Sequence, residues 1–229
     1  MRFRGVGLAI ALLLAYPTMV SAAPEPGPFP SPSASPVPAA GNGYIAVGLN
    51  LGDSSGGTFS GANGTNQPFK SAGAGGFSLD LVGRISDNYV AAIKYDNFSI
   101  HGDDNPLVSY AQGMLYFNPH ASVVALGLGY LSMQRSTASA NMNGGGLGIE
   151  VLPRLGHGAS FYGSAAVFPR LSSGAGSASL SSLDAGIVFS PPKRGAFFIR
   201  VGGFARNGGG SAFSPRQISG LTAGVGAGF

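Results

Sequence analysis

The chain reads as an all-β protein, a closed antiparallel up-and-down transmembrane β-barrel of ten strands. Three observations predict it. Residues 42–229 fall into ten segments in which apolar side chains recur at every second position, the period of a strand with one greasy face. Connections are generally short after the even-numbered segments, and longer and rich in Gly, Ser, Asn and Asp after the odd-numbered ones. An even strand count with unequal rims is how membrane-spanning barrels are built. Charged residues make up 10% of the chain, against roughly a quarter in ordinary soluble domains. Something other than water should cover much of this surface. Eight strands is the fallback count, should the seventh and eighth segments be miscounted.

Residues 1–22 have the anatomy of a cleaved signal peptide: Arg2 and Arg4, an apolar run from Gly5 to about Tyr16, and Val20-Ser21-Ala22 before the cut. The apolar run is short for a transmembrane helix. Residues 23–41 form a Pro-rich linker, expected to stay in the periplasm as a spacer or disordered tail, with a peptidoglycan or partner contact as the alternative. At about 3.1 Å per residue it spans on the order of 50 Å. The chain contains no Cys, which excludes disulfides and thiolate sites. Its 13 basic and 9 acidic side chains become 11 and 9 once Arg2 and Arg4 leave with the signal. The basic residues form no stripe, so nucleic acid is not an expected partner.

The first segment, about Gly43 to Gly52, points Ile45, Val47, Leu49 and Leu51 one way. The second, about Ala74 to Ile85, opposes Phe77, Leu79 and Leu81 to Ser78, Asp80 and Arg84. A tight turn at Ser86-Asp87-Asn88 leads to the third, about Tyr89 to Ile100, with Ile93 opposite Lys94 and Asp96. The fourth runs from about Leu107 to Phe117, and the fifth from Ser122 to Gln134. The sixth, about Gly144 to Arg154, alternates Leu147, Ile149 and Val151 with Gly148, Glu150 and Arg154. Gly156-His157-Gly158 turns the chain into the seventh, about Ala159 to Leu171, whose Pro169 suits a strand end or a bulge. The eighth covers about Ala178 to Phe189, the ninth about Ala196 to Arg206, and the tenth Gln217 to Phe229.

Periodicity leaves open which face points inward, and a soluble barrel with an apolar interior is the competing architecture. Two features favour lipid outside. The polar face is mostly Gly, Ser and Ala, too sparse in charge for a solvated exterior. Tyr89, Phe117, Phe161, Phe189, Phe197 and Phe229 share the apolar face at strand ends beside the short turns, which predicts an aromatic girdle at one interface. Phe77 and Tyr130 mark the other. The inward set is then Asp80, Arg84, Lys94, Asp96, Glu150, Arg154, Asp184 and Arg200, with Arg170 and Arg206 as further candidates. Mixed signs in a narrow bore predict an ion-pair network that fills the lumen. The alternative is a narrow diffusion channel with porin-like selectivity set by those charges.

The last eight residues carry Thr222, Gly224, Ala227 and a terminal Phe229, and resemble the sorting signal of bacterial outer-membrane β-barrels. That resemblance implies recognition by the barrel assembly machinery and residence in outer-membrane lipid. It implies too that this strand closes the barrel. His120-Ala121-Ser122 is similar to the His-x-Ser of outer-membrane lipid A deacylases, where His serves as base and Ser as nucleophile, although no Asn follows the Ser here. His101, Asp103 and Asp104 stand in an outward loop, where a ten-stranded outer-membrane protease keeps a His and acids. The second acidic pair of that family has no counterpart. Three scattered His residues offer no metal-ligand spacing, and the Gly runs lack a phosphate-binding context. The expectation is a monomeric, non-enzymatic barrel without cofactor or metal.

Overall fold

The computed structural model describes residues 43–56, 58–60, 66–68, 71–101, 107–119, 122–135, 141–173, 176–192, 197–209 and 217–229. The signal peptide and the Pro-rich linker lie outside the described residues, as do His120, Asp103 and Asp104. The elements are β1 (Gly43–Ser55), β2 (Thr58–Ser60), β3 (Asn66–Pro68), β4 (Ala72–Ser86), β5 (Tyr89–Ile100) and β6 (Leu107–Phe117). They continue as β7 (Val124–Arg135), β8 (Met142–Val151), β9 (Gly158–Ser173), β10 (Gly176–Ser190), β11 (Phe197–Gly209) and β12 (Gln217–Gly228).

Ten of these strands form one closed barrel in sequence order, with β12 returning to pair with β1. Every barrel pair is antiparallel. Closure runs in register from Tyr44 opposite Gly228 to Ser55 opposite Gln217. Gly43 and Phe229 add a reciprocal pair of backbone bonds at 3.0 and 3.1 Å. The expected Gly-rich loop after the first strand contains a separate two-stranded ribbon, β2 with β3.

The contrast in connection length is weaker than the sequence suggests. β9 and β10 extend beyond the expected ends, so that only residues 174–175 separate them on the nominally long-loop rim. On the opposite rim, Gly156 and Gly158 take φ of 83° and 79°, a left-handed conformation that suits glycine. Ser190 ties this turn to β10 by accepting the Gly156 N–H at 2.8 Å.

Alternation resolves in favour of an apolar exterior. Leu49, Leu51, Leu128, Leu147, Leu221 and Val225 are 60 to 70% exposed. All six predicted girdle aromatics, Tyr89, Phe117, Phe161, Phe189, Phe197 and Phe229, lie exposed on this outer wall, and the Tyr89 and Phe117 rings touch at 5.8 Å. Phe77 and Tyr130 are exposed on the same wall.

The core occupies the lumen in three layers. Towards the long-loop rim it is apolar, with Phe98, Ile100, Leu131, Phe168, Leu180 and Ile218 all buried. Phe98 stacks on Phe204 at 5.2 Å and meets Tyr110 edge-on at 6.1 Å. Towards the short-turn rim a second apolar layer contains Tyr44, Val82, Val90, Tyr116, Val188 and Phe198. Leu152 and Leu155, from the connection between β8 and β9, pack onto it. Between the two lies the charged layer. Inward glycines make room for these side chains: a Cβ on Gly226 would run into the Phe198 ring and the Ile45 carbonyl.

The proline in β9 acts as a bulge. Leu180 pairs with Phe168 and Ala178 with Leu171, so Pro169 and Arg170 together oppose Ser179. Phe168 and Leu171 therefore both point inward, three positions apart, and both are fully buried. Arg170, an inward candidate from the sequence, is thrown onto the outer wall and is exposed.

Candidate functional site in the barrel lumen

Strand alternation places one or two charged side chains of β4, β5, β8, β10 and β11 on the bore. Barrel closure then lets them meet as chords across it. Lys94 on β5 donates to both carboxylate oxygens of Glu150 on β8, at 3.0 and 2.8 Å. Arg200 on β11 donates through Nη1 to Asp80 on β4, and through Nη2 to Ser78 Oγ at 3.0 Å. Its guanidinium also lies 5.9 Å from the Tyr162 ring centroid.

Arg206 on β11 is the branch point. Its Nε and Nη2 donate to Asp96 Oδ2 at 3.0 and 2.5 Å, and Nη2 reaches Asp184 Oδ1 at 2.9 Å. Nη1 donates to the carbonyls of Leu183 and Ala205, both at 3.1 Å. Asp184 accepts a further bond from Ser164 at 3.3 Å. Asp96, Glu150, Arg200 and Arg206 are all buried. Charges that deep persist only when paired and hydrogen-bonded, which these are.

Six of the eight residues expected in the lumen network therefore meet there: Asp80, Lys94, Asp96, Glu150, Asp184 and Arg200. Arg84 and Arg154 do not. Arg84 stands at the short-turn rim, where it donates to Asn118 Oδ1 at 2.6 Å and to the Asp87 carbonyl at 2.9 Å, tying two turns together. Arg154 is exposed beyond the end of β8. The strand stops at Val151 because Pro153 has no N–H to give to a ladder, so the expected inward parity ends there.

Four uncharged polar side chains outside the expected network, Asn50, Gln112, Ser164 and Ser182, are also buried in the bore. Their signal was available, since each shares the parity of its strand's other inward residues. Thr222 and Gly224 of the terminal segment face the bore, whereas Ala227 pairs outward between Ile45 and Phe197. Ser122 is exposed and donates its hydroxyl to the Pro119 carbonyl at 2.8 Å, closing a turn.

One cavity in the charged layer, of about 20 Å³, is lined by Tyr44, Asn50, Asp80, Lys94, Arg200 and Thr222 among others. That accommodates about one water molecule. No group of three or more His, Asp or Glu suited to a metal ion occurs among the described residues.

A largely apolar outer wall, a closed ladder that pairs its backbone internally, and a cluster of paired charges inside the bore are features of the transmembrane β-barrel class. No protein-family model and no curated protein matches the chain. A solved structure that is similar to it is the N-terminal β-barrel domain of OprF from Pseudomonas aeruginosa, at 11% identity and a TM-score of 0.30. The match covers 82% of this chain and 99% of that domain.

Proposed function

We propose that this chain is a small outer-membrane β-barrel with a filled lumen and a structural or surface-interaction role. The observation that carries the reading is the layering of the bore. A paired ionic layer lies between two apolar plugs, with a cavity of about 20 Å³ beside it. A conducting pore needs a continuous column of water, and packed apolar side chains, mainly Phe, Leu and Ile at one end and Tyr, Val, Phe and Leu at the other, exclude one. In this reading the signal peptide exports the chain, and the Pro-rich linker remains available for a periplasmic contact. The barrel assembly machinery recognises the terminal strand through Thr222, Gly224, Ala227 and Phe229, and the barrel stands as a monomer in outer-membrane lipid. No catalytic role is part of it.

Planar-bilayer recording of the refolded full chain tests the proposal. The expected record is a quiet baseline, with folding verified by heat-modifiable gel migration. Steady ohmic steps of reproducible size would reject the filled lumen in favour of a narrow diffusion channel.

A further inference from the structure

The Pro169 bulge turns an arginine out of the bore and onto the outer wall. Arg170 is exposed on the outer wall of β9, and among the described residues it has no hydrogen-bond or ion-pair partner. The other described arginines and lysines of the barrel strands whose side-chain environment is known (Arg84, Lys94, Arg200 and Arg206) sit on the inward parity.

Its depth follows from strand geometry. Phe161 of the aromatic girdle precedes it on the same strand by nine residues. At about 3.3 Å per residue and a tilt of about 40°, that separation is about 23 Å along the barrel axis. The apolar band of such barrels is about 25 Å tall. Arg170 therefore emerges at the far edge of the hydrocarbon, at the level where headgroups begin.

Its neighbours on the outer wall change character at the same level. Ser172 on β9 pairs with Ser177 on β10 and Asn143 on β8, and Ser179 lies opposite the bulge. Ser172 and Ser177 are exposed, and Asn143 and Ser179 half-buried. These are hydrogen-bonding side chains without a carboxylate among them. An outward guanidinium at headgroup depth, with hydroxyls and an amide at neighbouring register positions, complements a phosphate monoester or diester.

We propose that Arg170, with Ser172, Ser177 and Asn143, forms a binding site for the phosphate of an outer-leaflet lipid. The site rests on the outer-membrane reading above, which puts the long-loop rim outside. The bulge then has a purpose beyond relieving a proline. It moves the cation from the bore, where two arginines already serve the ionic layer, to the membrane surface.

The test is native mass spectrometry of the refolded full chain released from detergent containing diphosphoryl lipid A. The wild type should retain one lipid A. Arg170→Ser should lower the retained fraction about tenfold, the scale of a single charge-assisted contact. Arg170→Lys should recover part of it, and added salt should weaken the wild type far more than Arg170→Ser. Because Arg170 is exposed, both variants should fold, as heat-modifiable migration verifies. Equal retention by wild type and Arg170→Ser overturns the site, and so does a folded wild type that retains no lipid A. The membrane reading fails separately, by failure of the wild type to insert into lipid vesicles.

Discussion

Replacing Arg206 with alanine is the sharpest probe of whether the bore is dry. The side chain is 6% exposed and serves Asp96, at 9%, and Asp184, at 21%. Its removal deletes three charge-assisted bonds and two bonds to the Leu183 and Ala205 carbonyls. It leaves two carboxylates without their cation. Removing one partner of a buried ion pair costs about 3–5 kcal/mol, because the remaining charge is neither solvated nor paired. Asp184 retains some solvent and its Ser164 bond, which keeps the expected loss near ~4 kcal/mol rather than above it. With a urea dependence of about 2 kcal/mol per molar, the unfolding midpoint in vesicles should fall by about 2 M. Neutralising the orphans by Asp96→Asn and Asp184→Asn in the same chain should recover more than half of the loss. A loss below ~1 kcal/mol for Arg206→Ala would refute the reasoning. It would mean that bulk water reaches these carboxylates and that the lumen is open.

Two further outcomes follow from the layering. Val225 is 60% exposed and lies four residues from the terminal Phe229, near the middle of the apolar band. Val225→Arg should cost about 2–4 kcal/mol in vesicle-folding titrations, and a variant that folds equally well would remove lipid from the outer wall. Phe98 is fully buried and stacked on Phe204 at 5.2 Å. Phe98→Ala should destabilise by about 3–5 kcal/mol in the same titrations, whereas a near-neutral result would show the outer plug to be loosely packed.

Much of this architecture was legible in the order of residues. The two-residue period is a local property of extended backbone, so the segment ending in Leu221, Val225 and Phe229 reveals its greasy face without reference to any other part of the chain. Strand order was equally readable, because short antiparallel connections leave each strand beside its predecessor. Inward parity correctly named Asp80, Lys94, Asp96, Glu150, Asp184 and Arg200. It failed where a proline interrupts it: Pro153 ends β8 before Arg154, and Pro169 turns Arg170 outward. Only the closed tertiary structure decided who pairs with whom inside. Lys94 finds Glu150 across 56 positions, Arg206 finds Asp96 across 110, and Arg200 finds Asp80 across 120. Such chords depend on the stagger accumulated around the whole barrel, a quantity that no single strand encodes. The same closure buried Phe98 and Phe168 in the bore, making plugs of side chains that a local reading had no means to set against one another.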